Sequence, residues 1–222
     1  MRKGLEIGGL LAALVLIVFG VVAISMGVNG RNTVNKSLTN EYIVGSPDMT
    51  PSAIKAEAQK AGIASSVTLW PTKSVANQKI DTGAKARLMA EYMRIHTLEA
   101  THGYTYAQMG IYTAKPGTPK AQLMPGGGTD NTAFAAVDPK TKLPVQNASR
   151  QIWVTYTALG TALNTSYMAD QLGLFGIVVG IALLLTGVGF AILALGGALR
   201  NPETAVPFVK RSHSKVPAVP VA

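Results

Sequence analysis

His96, Glu99 and His102 recur at steps of three residues. Two imidazoles and one carboxylate form the ligand set of non-haem iron centres and of some zinc hydrolases. On a helix, such steps keep side chains within about a third of the circumference, so the spacing predicts three ligands on one face. Helical ligand pairs more often stand at i,i+4, as in HExxH. Here the two histidines are six residues apart, and His102 adjoins Gly103. A histidine in the last turn of a helix also has a plain role beside the exposed carbonyls.

Other chemistries find less to work with. Gly126-Gly127-Gly128 has neither the Gly-Lys-Ser/Thr sequel nor the strand-to-helix setting of a phosphate loop, and reads as a flexible turn. A Ser/His/Asp triad has no nucleophile elbow to anchor it. The chain has no cysteine, which excludes disulfides, thiol catalysis and cysteine-bearing metal sites. Net charge is +9, but the basic residues are scattered and aromatics do not interleave with them, so no nucleic-acid groove is expected. No cofactor is implied beyond the metal option at His96, Glu99 and His102.

The elements that must position these residues begin with two apolar runs, 5–26 and 172–199. Each is long enough to cross a bilayer core of about 30 Å at about 1.5 Å per residue. The first run exceeds the roughly 7–15 residues of a signal-peptide core, so an uncleaved span is expected. Arg2 and Lys3 precede span one, and Arg200, Lys210, Arg211 and Lys215 follow span two, whereas 151–171 hold no Lys or Arg. That bias puts both termini in the cytoplasm, against a mild contrary signal from Arg31 and Lys36. The expected layout is a cytoplasmic N-terminus (1–4), span one (5–28), an extracytoplasmic domain (29–171), span two (172–199) and a disordered basic tail (200–222). Lys210, Arg211 and Lys215 in that tail could touch anionic headgroups, each worth about 1 kcal/mol.

Small residues mark the spans as packing surfaces. Gly173, Gly180, Gly187 and Ala194 recur every seven residues, and Gly176 with Gly180 makes a GxxxG step. Gly4, Gly8 and Ala12, then Gly20, answer at multiples of four on span one. A seven-residue row of small residues keeps one seam facing a partner helix and lets backbones approach. Apart from Glu6 at the edge, neither span carries an ionisable residue, which argues against an ion path.

The central residues predict three helices. Thr50 and Pro51 open the first, Glu57 and Lys60 can pair on it, and Gly62 ends it. Asp81 is expected to cap the second, which runs to about Thr101 with Leu88, Tyr92 and Ile95 as its apolar stripe and Arg87, Glu91 and Arg94 on another face. Short extended stretches are expected at 67–70, 104–113 and 133–137, separated by Pro- and Gly-rich turns. Asn147 or Ser149 begins the third helix, through Trp153, Tyr156, Leu159, Leu163 and Tyr167. No breaker precedes Leu172, so this helix is expected to continue into span two. The two sequons at Asn147 and Asn164 read as caps or helix polar positions.

Gly45-Ser46-Pro47-Asp48-Met49-Thr50-Pro51, Arg150-Gln151-Ile152-Trp153-Val154 and 162–168 resemble a family of two-span bacterial envelope proteins. Similar sequences sometimes carry the label aromatic ring-opening dioxygenase. The residues offer that label only two histidines and Glu99, and a small domain poor in aromatics is ill suited to a dry substrate pocket.

The expected fold is therefore a mainly α membrane protein. Two spans flank a small, mostly helical (α+β) extracytoplasmic domain, whose third helix continues into span two. The expected partners are membrane lipid and either another membrane protein or a second copy of the chain. The expected role is a non-catalytic accessory or scaffold subunit in a bacterial cytoplasmic membrane, acting through helix–helix association. A ligand-binding sensor that needs a partner, and a metal-dependent enzyme using His96, Glu99 and His102, are the other two classes.

Overall fold

The computed structural model describes residues 2–196. It is mainly helical: α1 (Arg2–Asn40), α2 (Pro51–Lys60), α3 (Gly83–Ala100) and α4 (Ala148–Gly196), with four short 3₁₀ turns between them. Both α1 and α4 contain a stretch long and apolar enough to cross a membrane, and only 17% of each stretch is buried. The chain divides into two compact units. One comprises the described parts of Met1–Ser25 and Ile177–Ala222, and the other is Met26–Gly176.

In the first unit two helices meet where side chains are missing. A Cβ built on Gly20 would stand 2.8 Å from the Gly180 carbonyl oxygen, and one on Gly180 would stand 2.7 Å from the Gly20 oxygen. Gly187 approaches the Ala13 oxygen in the same way, at 3.0 Å, while Ala13 and Ala194 are buried. In a bilayer, where lipid tails are as apolar as leucine, helices of this kind gain from close van der Waals packing rather than from leaving water. The large residues Phe19, Leu185 and Ile192 remain exposed.

The second unit is held by a conventional apolar core. Ile54, Val75, Ile80, Tyr92, Ile95, Leu98, Trp153 and Leu163 are all buried in it. Central to it is α3, which buries Ala86, Met89, Ala90, Tyr92, Ile95 and Leu98; Leu88, expected in the stripe, is only partly buried. The Tyr92 hydroxyl donates to the Lys73 carbonyl at 3.0 Å, so its one polar atom enters the core satisfied. The continuation of α1 to Asn40 was not legible in its polar tail, yet Val34 and Leu38, one turn apart, pack into this core. Tertiary burial there overrides the modest helix propensity of Asn and Thr.

Caps fall close to their expected places. Thr50 accepts from the Ala53 amide at 3.2 Å, with Pro51 at the first helical position. At the far end Gly62 takes a positive φ of 71°. The Ile63 and Gly62 amides return to the Ala58 and Gln59 carbonyls at 2.9 and 3.0 Å, which is a Schellman closure. The cap of α3 corrects the sequence reading: it is Thr82, whose hydroxyl accepts from the Lys85 amide at 3.4 Å. Asp81 instead pairs with the Lys85 ammonium at 2.9 Å. That hydrogen bond, ahead of the Coulombic attraction of Lys85, holds the Asp81 carboxyl below the usual range.

The expected α+β character is a second correction, because no strand forms among the described residues. Segments 104–113 and 133–137 contribute isolated bridges, Tyr112 to Thr129 and Gln146, and Ala114 to Ala135. The pairing stays short because turns and 3₁₀ segments interrupt it, at Lys120–Gln122 and Thr132–Phe134 among others. Gly128, at φ 77°, lies where a Cβ would meet the Asn147 amide at 2.6 Å. Asn147 itself donates to the Gly110 carbonyl at 3.0 Å and accepts from the Ser149 amide at 3.1 Å. It thus ties this irregular layer down while capping α4.

From that cap α4 runs without a break to Gly196. Within the second unit it buries Trp153, Gly160, Leu163 and Asp170. The Trp153 indole donates to the Tyr104 carbonyl at 2.9 Å and to the Thr101 hydroxyl at 3.2 Å, and meets Tyr156 edge-on. Asp170 is nearly enclosed, with 5% of its side chain exposed, and accepts from the Arg31 guanidinium at 2.9 Å. Gly83 leaves it room, since a Cβ there would come within 2.5 Å of the Asp170 Cβ.

Candidate functional site

The structure regroups the metal-ligand residues. His96 lies inside α3, whereas His102 lies beyond its end with φ 53°. The His102 amide bonds the Glu99 carbonyl at 3.1 Å and the Gly103 amide bonds that of Leu98 at 2.7 Å. His102 therefore occupies the left-handed closing position of a Schellman motif, normally a glycine position. Helical spacing no longer governs it, and it does not join His96 in a ligand group. Glu99 stays close, its Oε2 3.7 Å from His96 Nδ1.

What gathers around His96 comes from other segments. Asp48 sits in the turn before α2, where the Met49 amide bonds the Ser46 carbonyl at 3.0 Å. Glu57 sits on α2 itself. One ligand atom from each of Asp48, Glu57 and His96 falls within 4.8 Å of the other two, the one such trio among the described residues. His96 Nε2 is 3.1 Å from Asp48 Oδ2, but without the alignment of a hydrogen bond, and this nitrogen is shut off from solvent. Sequence spacing could not have found Asp48 and Glu57, because they reach His96 only through the packing of α2 on α3.

A second polar group lines another part of α3. A cavity of about 220 Å³ is bordered by Leu69, Arg87, Glu91, Arg94, Tyr156 and Asn164. Arg87 pairs with Glu91 at 3.2 Å and lies over the Tyr167 ring, while Arg94 lies over Trp153 at 5.4 Å. The predicted grouping of these charges is thus partly an ion pair and partly cation–π stacking. Burial pushes the Glu91 carboxyl up, and the Arg87 charge only partly offsets it. The cavity falls short of the roughly 300–1,000 Å³ typical of small-molecule pockets.

The predicted packing residues are distributed unevenly. Gly180 and Gly187 face α1 in the first unit and Ala194 is fully buried there. Gly173, in the second unit, approaches the Gly27 carbonyl and the Arg31 side chain. Gly4 and Gly8 meet nothing within 4 Å, Ala12 and Gly176 are half-buried, and Gly20 supplies the close approach on α1. Lys210, Arg211 and Lys215 lie outside the described residues. No protein-family model, curated protein or solved structure matches this chain.

Proposed function

We propose that this chain is a non-catalytic integral membrane protein of the bacterial envelope, an accessory subunit of a larger membrane assembly. In this reading α1 and α4 cross the cytoplasmic membrane, residues 29–171 lie outside, and both termini lie inside. The observation that carries it is the glycine contact of Gly20 with Gly180 and of Gly187 with Ala13. It pairs the two apolar helices through backbone approach, the way spans associate in lipid. Because that seam is occupied within the chain, contact with a partner helix falls to the outward residues, Phe19, Phe175, Leu185 and Ile192, all exposed. The basic residues near both ends support the orientation.

Crosslinking in native membranes, followed by gentle extraction and mass spectrometry, tests this reading. A second protein recovered in stoichiometric amount, with crosslinks to its membrane helix, is the expected result. Recovery of the chain alone would overturn the accessory role.

A further inference from the structure

We propose that Asp48, Glu57 and His96 form a binding site for a divalent transition-metal ion of the zinc class. The proposal stands on the geometry around His96 and does not depend on the membrane reading.

Two adjoining segments and one distant in sequence bring their donor atoms together: the turn at Asp48 with helix α2 at Glu57, and helix α3 at His96. Two carboxylates this close repel unless a positive charge lies between them. His96 Nε2 points into the group, shielded from water and without an aligned partner. Its other nitrogen faces Glu99 Oε2 at 3.7 Å. A metal-bound imidazole commonly has its second nitrogen steered by an outer carboxylate, and Glu99 stands on that side, within ion-pair reach but beyond hydrogen-bond distance.

The donor set selects the ion. One imidazole with two carboxylates suits zinc and its neighbours, whereas magnesium and calcium take oxygen ligands. Zinc bonds of about 2.0–2.2 Å place tetrahedral donors roughly 3.4 Å apart. Nε2 and Asp48 Oδ2, 3.1 Å apart, stand close to that spacing, and all three donor atoms lie within 4.8 Å of one another. The bound ion would clamp the turn before α2 and α2 itself onto α3. The alternative is a protonated His96 held as an ion pair, which needs no metal.

The test uses the full chain in detergent micelles, stripped with chelator and titrated with Zn²⁺ in equilibrium dialysis. One equivalent should bind, and it should raise the melting temperature. H96A and E57Q should each weaken binding at least tenfold, E99Q should weaken it less, and H102A should leave it unchanged. E57Q replaces a half-buried group by one of equal size, so it carries the test even if H96A fails to fold. Absence of stoichiometric zinc in the wild type, or full zinc affinity in E57Q, would overturn the site in favour of the ion pair. Equal loss in H102A would overturn the ligand assignment.

Discussion

The two units of this molecule are held together by opposite means. Residues 13–20 and 180–194 meet because glycines remove side chains and let backbones touch. Residues 26–176 cohere because large side chains such as Tyr92, Ile54, Trp153 and Leu163 fill a shared interior. On the membrane reading proposed above, the difference follows from the surroundings of each unit. In water, burying apolar area stabilises by about 25 cal/mol per Å², so bulk is favoured. In lipid that gain vanishes between helices and closeness of fit replaces it. A substitution should therefore harm one unit through lost volume and the other through added volume.

The largest expected effect is Trp153→Ala. It empties a buried site, removes the indole hydrogen bonds to Tyr104 and Thr101, and unseats Arg94 from its ring. A loss of about 3–5 kcal/mol is expected for such a truncation, read as a lower urea midpoint for the full chain in micelles. Trp153→Phe, which keeps the volume and loses the N–H, should cost less than half as much. Equal costs would mean that the hydrogen bonds, not the packing, hold α4 in place.

The converse change is Gly180→Leu. A side chain there would meet the Gly20 carbonyl and Ile24, and overpacking of this kind costs about 1–3 kcal/mol. Both tryptophans, Trp70 and Trp153, lie in the second unit, so their fluorescence reports on that unit alone. Faster amide exchange across 13–24 and 177–191 with unchanged tryptophan fluorescence is the expected result. A shift in both signals would break the contrast between the units.

These elements also show how far the sequence could be read. The seven-residue glycine row and the apolar runs were legible because helix geometry is periodic, and the period survives without knowing the partner. Thr50 with Pro51 was legible because caps are local chemistry, and the start of α4 was narrowed to Asn147 or Ser149, between which the hydrogen bond that Asn147 accepts from the Ser149 amide decides. Elsewhere the outcome depended on contacts far along the chain. Val34 and Leu38 keep α1 helical past its apolar run, through burial that no local propensity announces. Segments 104–113 and 133–137 have strand-like composition but form bridges only, because turns cut each pairing short. The charge trio was hidden for the same reason. His96 was visible, but Asp48 and Glu57 become its neighbours only when α2 packs on α3.

A smaller effect of opposite sign is expected at His102. Its φ of 53° is one that glycine adopts freely. The equivalent position after α2 is Gly62, at φ 71°. His102→Gly should stabilise the second unit by about 0.5–1 kcal/mol, while Gly62→Ala should cost a similar amount. Paired thermal melts check both. A destabilised His102→Gly would show that the imidazole itself makes a contact worth more than the strain.

The finest comparison is between two carboxylates of the second unit, read by pH. Asp81, held low by its hydrogen bond from Lys85, adds stability above its unfolded value of about 3.8, and that stability is lost as pH falls through the lower folded value. Glu91 behaves in the reverse sense. Burial raises its carboxyl above the ordinary 4.5, so between those values the folded chain binds the extra proton. Stability then declines as pH rises from about 4.5 through the folded value. Glu91→Gln should remove that decline and leave the acid limb due to Asp81 in place. It should also act on Tyr92, whose phenol is pushed up first by burial and then by the Glu91 charge. Without that charge the phenol should ionise at a lower pH, visible as phenolate absorbance in an alkaline titration. If neither the mid-acid slope nor the phenol titration moves, Glu91 is solvated in the folded chain, and the cavity beside Arg87 is open water rather than part of the core.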